Sequence, residues 1–305
     1  MNKNVSRDLA KYWWLRCVAC SEASLTTQMR GFGFKEQVFE QALHAFSGGF
    51  IHRGHMCGLL TGAILAAGFM AQEQFRDDET KAGSALYAAV QLTNDFPEYS
   101  GFINCREITK TDLTKLRGRF RYFREGKGRM CGRLHLKWAP WVHQIINKSV
   151  TEYKECKPKE SCANCAVQTT IQIKSKSGIE MGSPTLMAGF AGGIGLSGNV
   201  CASLAVGVYA LSISHQLDRS QKKRDSRFRG TFEEFIGACY RGSIKRLWFD
   251  FTGKFGSELC KDIAGRNFRS IEEYASFMEA TNCENVIKYV ADWVGNQSTG
   301  NHVGS

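Results

Sequence analysis

Proline is scarce: four in 305 residues. So few breaks leave room for long helices. No segment sustains the apolar–polar alternation of a half-buried strand, and no Asn-Gly hairpin signal interrupts a domain, so a sheet protein is excluded. The chain also lacks a phosphate-binding loop, a dinucleotide fingerprint, a carboxylate pair and a Ser-His-Asp pattern, so no defined catalytic reaction is indicated. The segment Met1–Leu9 has no apolar core and no small-residue cleavage site, so no secretory signal is expected. The expected setting is cytoplasmic, where cysteines more often serve metal or redox chemistry than structural disulfides.

Cysteine, by contrast, is abundant, with twelve in the chain. Ten fall into two matching sets: Cys17, Cys20, Cys57, Cys105 and Cys131, then Cys162, Cys165, Cys201, Cys260 and Cys283. Each set opens with Cys-x-x-Cys. The match extends beyond sulfur, because Phe46, Gly48-Gly49, Gly54 and Cys57 recur as Phe190, Gly192-Gly193, Gly198 and Cys201 at a constant offset of 144. A repeat of this length gives two domain-sized units, expected at 1–150 and 151–305 with a polar junction near 148–160. Cys156 and Cys239 have no counterparts and read as ordinary small apolar residues.

The composition, 43% hydrophobic and 23% charged, is that of a globular chain. Apolar residues recur on one helical face at Leu60, Ile64, Ala67 and Ala71, and again at Val286, Tyr289, Val290 and Trp293. A third helix is expected at Phe232, Phe235, Ile236 and Cys239, with Thr231 as N-cap and Glu234 three residues on. Cys131 leads a stretch containing Trp138 and Trp141. The Gly-Gly segments read as tight connections needing positive φ. The fold expected is all-α: two related helical-bundle halves, with glycine-rich turns before the central cysteine helix of each. Met187–Ser214 carries no charge and would pass a hydropathy window. Its first-half counterpart holds His52, Arg53 and His55, so a buried helix is expected, with no membrane span.

Two cysteines three apart can clamp one metal ion, or one can attack while the other resolves. Ser21 and Ala166 stand where c-type haem attachment requires histidine, so that group is excluded. The compact ferredoxin run is absent, and zinc-ribbon spacing does not fit. His52 or His55 could lower the pKa of Cys57 or serve as a ligand. Net charge is +11, concentrated at Lys115–Arg133 and Arg219–Arg229. Such charge suits an acidic protein partner; nucleic acid is not favoured, since no reader motif accompanies it.

The glycine and cysteine pattern, from Cys20 through Gly48-Gly49, Gly54, Cys57-Gly58-Leu59-Leu60-Thr61-Gly62, Asn104-Cys105-Arg106 and Cys131, resembles the C_GCAxxG_C_C family of redox-active proteins. Cys165, Gly192-Gly193, Gly198, Cys201, Cys260 and Cys283 repeat it, with Ala202 and Val206 replacing Gly58 and Gly62. The resemblance implies a helical domain around a cysteine-lined site, present here as a tandem duplication. The expected function is redox: electron transfer or thiol–disulfide exchange at Cys17, Cys20, Cys57, Cys105 and Cys131, with an iron–sulfur cluster as candidate cofactor. All ten paired cysteines are candidate metal ligands. Cys162, Cys165, Cys201, Cys260, Cys283, Gly58 and Gly62 are candidate cofactor contacts. Glycine at 58 and 62 would let a neighbouring helix or a cofactor approach the backbone. The alternative is a zinc–thiolate module whose basic surface binds an acidic partner.

Overall fold

A computed structural model describes residues 5–17, 19–155, 164–221, 242–281 and 283–298. Among them the chain is helical, and its only extended pairing is two isolated bridges, Met56 with Asn104 and Val200 with Leu259. The first half contributes α1 (Arg7–Arg16), α2 (Cys20–Phe32), α3 (Gln37–Ala42), α4 (Gly58–Gln74), α5 (Asp78–Ser100), α6 (Cys105–Thr109), α7 (Leu116–Arg124) and α8 (Lys127–Glu155). The second contributes α9 (Cys165–Ser177), α10 (Ala202–Gln221), α11 (Gly242–Phe255), α12 (Cys260–Ile263), α13 (Ile271–Thr281) and α14 (Glu284–Ser298). The helix expected around Phe232–Cys239 lies outside the described residues, as do Cys156 and Cys162.

The local signals act as their chemistry requires. Asp77 caps α5 by accepting from the Thr80 N–H, and Asn164 caps α9 through the Ala166 and Val167 N–H groups. Such caps satisfy amides that have no partner within the helix. The polar junction from 148 to 155 continues α8, and the apolar stripe of that helix buries Trp138, Val142 and Ile146. Met187–Ser214 is divided between a 3₁₀ turn (Pro184–Phe190), the glycine turn and the start of α10. No helix among the described residues is long and apolar enough to cross a membrane.

The glycine segments exceed a simple turn. Gly48, Gly49, Phe50, Ile51 and His52 all have positive φ, between 43° and 72°. Gly192, Gly193, Ile194, Gly195 and Leu196 repeat this, between 59° and 78°. Each is a short left-handed coil, and each non-glycine residue within it costs about 1–2 kcal/mol. Burial offsets that cost, since Phe50 and Ile194 are fully enclosed.

These coils also join the halves. Phe46 meets its own counterpart Phe190 at 5.8 Å between ring centres, edge to face. Contact between equivalent residues is what an internal two-fold axis produces. The turn at Pro184–Phe190 packs on α4 and α5 of the first half, and α3 packs on α10 of the second. One continuous core therefore runs through both copies, from Leu25 and Trp138 to Trp248 and Val290.

Candidate functional site

The first-half cysteines sit where helices begin or end. Cys17 closes α1, Cys20 is the first residue of α2, Cys57 caps α4, and Cys105 opens α6. The Met56–Asn104 bridge sets two of these side by side: Cys57 N–H donates to the Ile103 carbonyl at 2.8 Å, and Cys105 N–H to the His55 carbonyl at 2.7 Å. Cys131 comes from α8. All five line one cavity of about 300 Å³, together with Trp14, Ser47, His52, Arg119, Tyr122 and Phe123. The chain thus brings together the complete first set expected from sequence.

Glycine makes this convergence feasible. A Cβ at Gly58 would stand 2.6 Å from Cys20 Sγ, and one at Gly62 would stand 2.4 Å from the Ser21 carbonyl oxygen. Gly58 and Gly62 therefore serve the close approach of α2 to α4, which holds Cys20 beside Cys57. The helices are further joined by Ser24 Oγ donating to the Leu59 carbonyl at 2.6 Å.

The site is dry. Burial pushes the Cys57 thiol well above its ordinary value, and nearby Cys20 and Cys131 add to this; the Leu59 and Leu60 N–H groups at the start of α4 oppose it. Cys105 is raised by burial and then by Cys57, Cys20 and Cys131. Cys131 is pushed up to about 11 by burial, against a hydrogen bond from Tyr122, whose hydroxyl donates to Sγ at 3.4 Å. These three thiols are protonated at neutral pH. His52 is lowered to about 3, first by burial and then by Arg119 and by Lys245 of the second half. Its imidazole is therefore neutral and cannot activate a thiol as a cation. His55 faces away, stacking on Trp248 at 5.6 Å and pairing with Glu258 at 3.0 Å.

The second half repeats the clustering of thiols. Cys201 is pushed up to about 12 by burial and then by Cys165, with Cys283 adding to it. Cys260 is raised well above the ordinary range by burial and by Cys201, Cys165 and Cys283. Four thiols thus share one neighbourhood. Tyr274 Oη donates to Cys165 Sγ at 3.2 Å and accepts from the Cys165 N–H at 3.0 Å. Tyr122 and Tyr274 were not singled out from sequence. The offset of 152 that relates Cys131 to Cys283 relates them too, and that is the signal that could have found them.

The sites meet back to back. Asn199 Nδ2 donates to Asn104 Oδ1 at 2.7 Å, and Met56 N–H donates to Asn199 Oδ1 at 3.3 Å. Asn104 precedes Cys105, Met56 precedes Cys57, and Asn199 lies two residues before Cys201. Among the described residues, no group of three Cys, His, Asp or Glu side chains is arranged to hold a single metal ion. The first-half thiols surround the cavity without meeting at one point.

No curated protein and no solved structure matches the chain. A family model described as "Putative redox-active protein (C_GCAxxG_C_C)" matches residues 18–145 and again 160–297. The two matches carry nine of the ten paired cysteines, Cys17 falling one residue before the first match, and the chain belongs to the C_GCAxxG_C_C family as a tandem duplication.

Proposed function

We propose that the first-half cavity is the working redox centre of an electron-transfer protein, with Cys17, Cys20, Cys57, Cys105 and Cys131 supplying thiolates to an iron–sulfur cluster. The observation that carries this reading is the convergence of five thiols on one cavity of about 300 Å³. A disulfide needs two thiols in contact, and a zinc site needs ligands gathered around one ion. Five thiols lining one cavity of this size suit a thiolate-ligated group larger than a single ion. When bound, such a group supplies one-electron chemistry.

The chain's own residues would set the conditions. The Leu59 and Leu60 N–H groups point at Cys57 sulfur, and the helix start favours negative charge there. Arg119 and Lys245 add positive charge near His52. The Tyr122 hydroxyl bonds Cys131 sulfur, and hydrogen bonds to ligand sulfur tune a centre's potential. Cys165, Cys201, Cys260 and Cys283 form the corresponding second site, with Cys162 as its expected fifth member. Residues 1–150 and 151–305, read as two copies of one unit, and a cytoplasmic setting complete the proposal.

Thiol–disulfide exchange is the second reading, favoured by the pairing that sets Cys57 beside Cys105. Two thiols would then lose two electrons and two protons to an oxidant. Thiols held protonated at neutral pH are poor nucleophiles, which weighs against it. Anaerobic purification and reconstitution with ferrous iron and sulfide separates the readings. Bound iron and sulfide with broad visible absorption, lost in Cys57→Ser and Cys105→Ser, supports the cluster. Stoichiometric zinc without colour refutes it. Absence of metal, with two thiols lost on mild oxidation, transfers the function to the disulfide.

A further inference from the structure

Helix α7 stands at the rim of the thiol cavity. Its residues Arg119, Tyr122 and Phe123 line the cavity, yet no residue of this helix is buried. Leu116, Phe120 and Phe123 recur at helical spacing on one face and are 59%, 65% and 61% exposed. Arg117, Arg121 and Arg124 form the adjacent exposed stripe at the same spacing. The end of α1 adds Leu15, 71% exposed, between the cavity residues Trp14 and Cys17. Between Lys115 and Arg133 there are eight basic residues and one acidic residue, Glu125, which pairs with Arg121 and Lys127.

The fold does not require this surface. Under the 152-residue offset, Phe120 corresponds to Glu272 of α13 and Phe123 to the buried Ala275. Helix α13 carries Glu272, Glu273 and Glu279 and no basic residue. The same helix of the same family fold is thus acidic, with its apolar face covered, in one copy. In the other it is basic, with its apolar face exposed. Exposed apolar groups clustered among charges of one sign mark an interaction surface.

We propose that α7 and the end of α1 form the docking face for an acidic electron-carrier protein, placing it over the thiol cavity. This rests on the redox reading of that cavity. The charge selects an acidic partner and speeds encounter, and the small apolar stripe suits a transient, salt-sensitive complex. A lipid surface fits less well, because α7 is only nine residues long and presents three large apolar residues, and a bilayer would seal the cavity mouth.

The test is calorimetric titration of the full chain with an acidic [2Fe–2S] ferredoxin, with basic cytochrome c as the opposite-charge control. Binding of the ferredoxin at low ionic strength is expected, weakening at about 0.15 M salt. The Arg117→Glu/Arg121→Glu/Arg124→Glu variant should lose at least about tenfold in affinity, and Phe120→Ser should weaken binding alone, with circular dichroism unchanged in both. All of these residues are exposed, so folding should survive. The proposal is overturned if the ferredoxin fails to bind at low salt, or if neither variant weakens it. It is also overturned if cytochrome c binds equally well, or if phosphatidylglycerol vesicles or a second copy of the chain occupy the face instead. Binding needs no metal in this chain, so a chain that takes up no iron but binds the carrier through α7 refutes the cluster and leaves the docking face standing.

Discussion

Replacing Gly62 by alanine tests whether close approach of α2 and α4 builds the site. The new methyl would lie 2.4 Å from the Ser21 carbonyl oxygen, 2.8 Å from Ser24 Cβ and 2.9 Å from the Leu25 nitrogen. Two of these are backbone atoms, so no side-chain rotation relieves the clash, and α2 must retreat by about 1 Å to reach ordinary contact. Overpacking of this kind costs about 2 kcal/mol. The retreat also strains the Ser24–Leu59 hydrogen bond, worth about 1 kcal/mol. Alanine returns about 1 kcal/mol of helix propensity. The net expectation is a loss of about 2 kcal/mol in urea unfolding followed by circular dichroism, with faster labelling of Cys20 as α2 shifts. Gly253→Ala is the control: it sits exposed in α11 with nothing within 4 Å, and should gain about 0.5–1 kcal/mol. Because helix propensity alone would stabilise both variants, a Gly62→Ala protein as stable as its parent would refute the packing argument.

Three further outcomes are expected. The raised thiols hold their protons in the folded chain longer than in the unfolded one, so stability should be complete below about pH 8.5 and fall as pH rises through the value of about 11 at Cys131; a flat urea midpoint from pH 8 to 11 would contradict the burial of these thiols. Asn199→Leu removes the acceptor of the Met56 N–H and the donor to Asn104, and should cost about 2 kcal/mol by leaving the buried Met56 N–H and the partly buried Asn104 Oδ1 unmet; an unchanged melting temperature would deny that this junction holds the sites together. Tyr122→Phe removes the hydrogen bond that lowers the Cys131 pKa, so alkylation of Cys131 should require higher pH, and an unshifted pH profile would rule out the contact.

Much of this architecture was legible because duplication supplies its own control. Ten cysteines and a Gly-Gly segment persisting between otherwise divergent halves point to one helical unit used twice, and residues 18–145 and 160–297 match one family. The apolar spacing after Cys57 and before Trp293 placed α4 and α14. The turn was only half legible: two glycines announce positive φ, but Phe50, Ile51 and His52 continue it through burial that no local pattern reveals. His52 and His55 looked alike beside Cys57. Burial and Arg119 leave one neutral at the cavity, while Glu258, 203 positions away, pairs with the other.

The sequence by itself determined the helical class, the duplication and which ten cysteines recur in both halves, since these follow from periodicity, spacing and residue type. Tertiary structure alone decided that Cys17, Cys20, Cys57, Cys105 and Cys131 face one cavity, that Tyr122 and Tyr274 each bond a site sulfur, and that the two copies share a core. These depend on contacts between residues far apart in the chain, and on how much water the packing excludes, which local spacing does not encode.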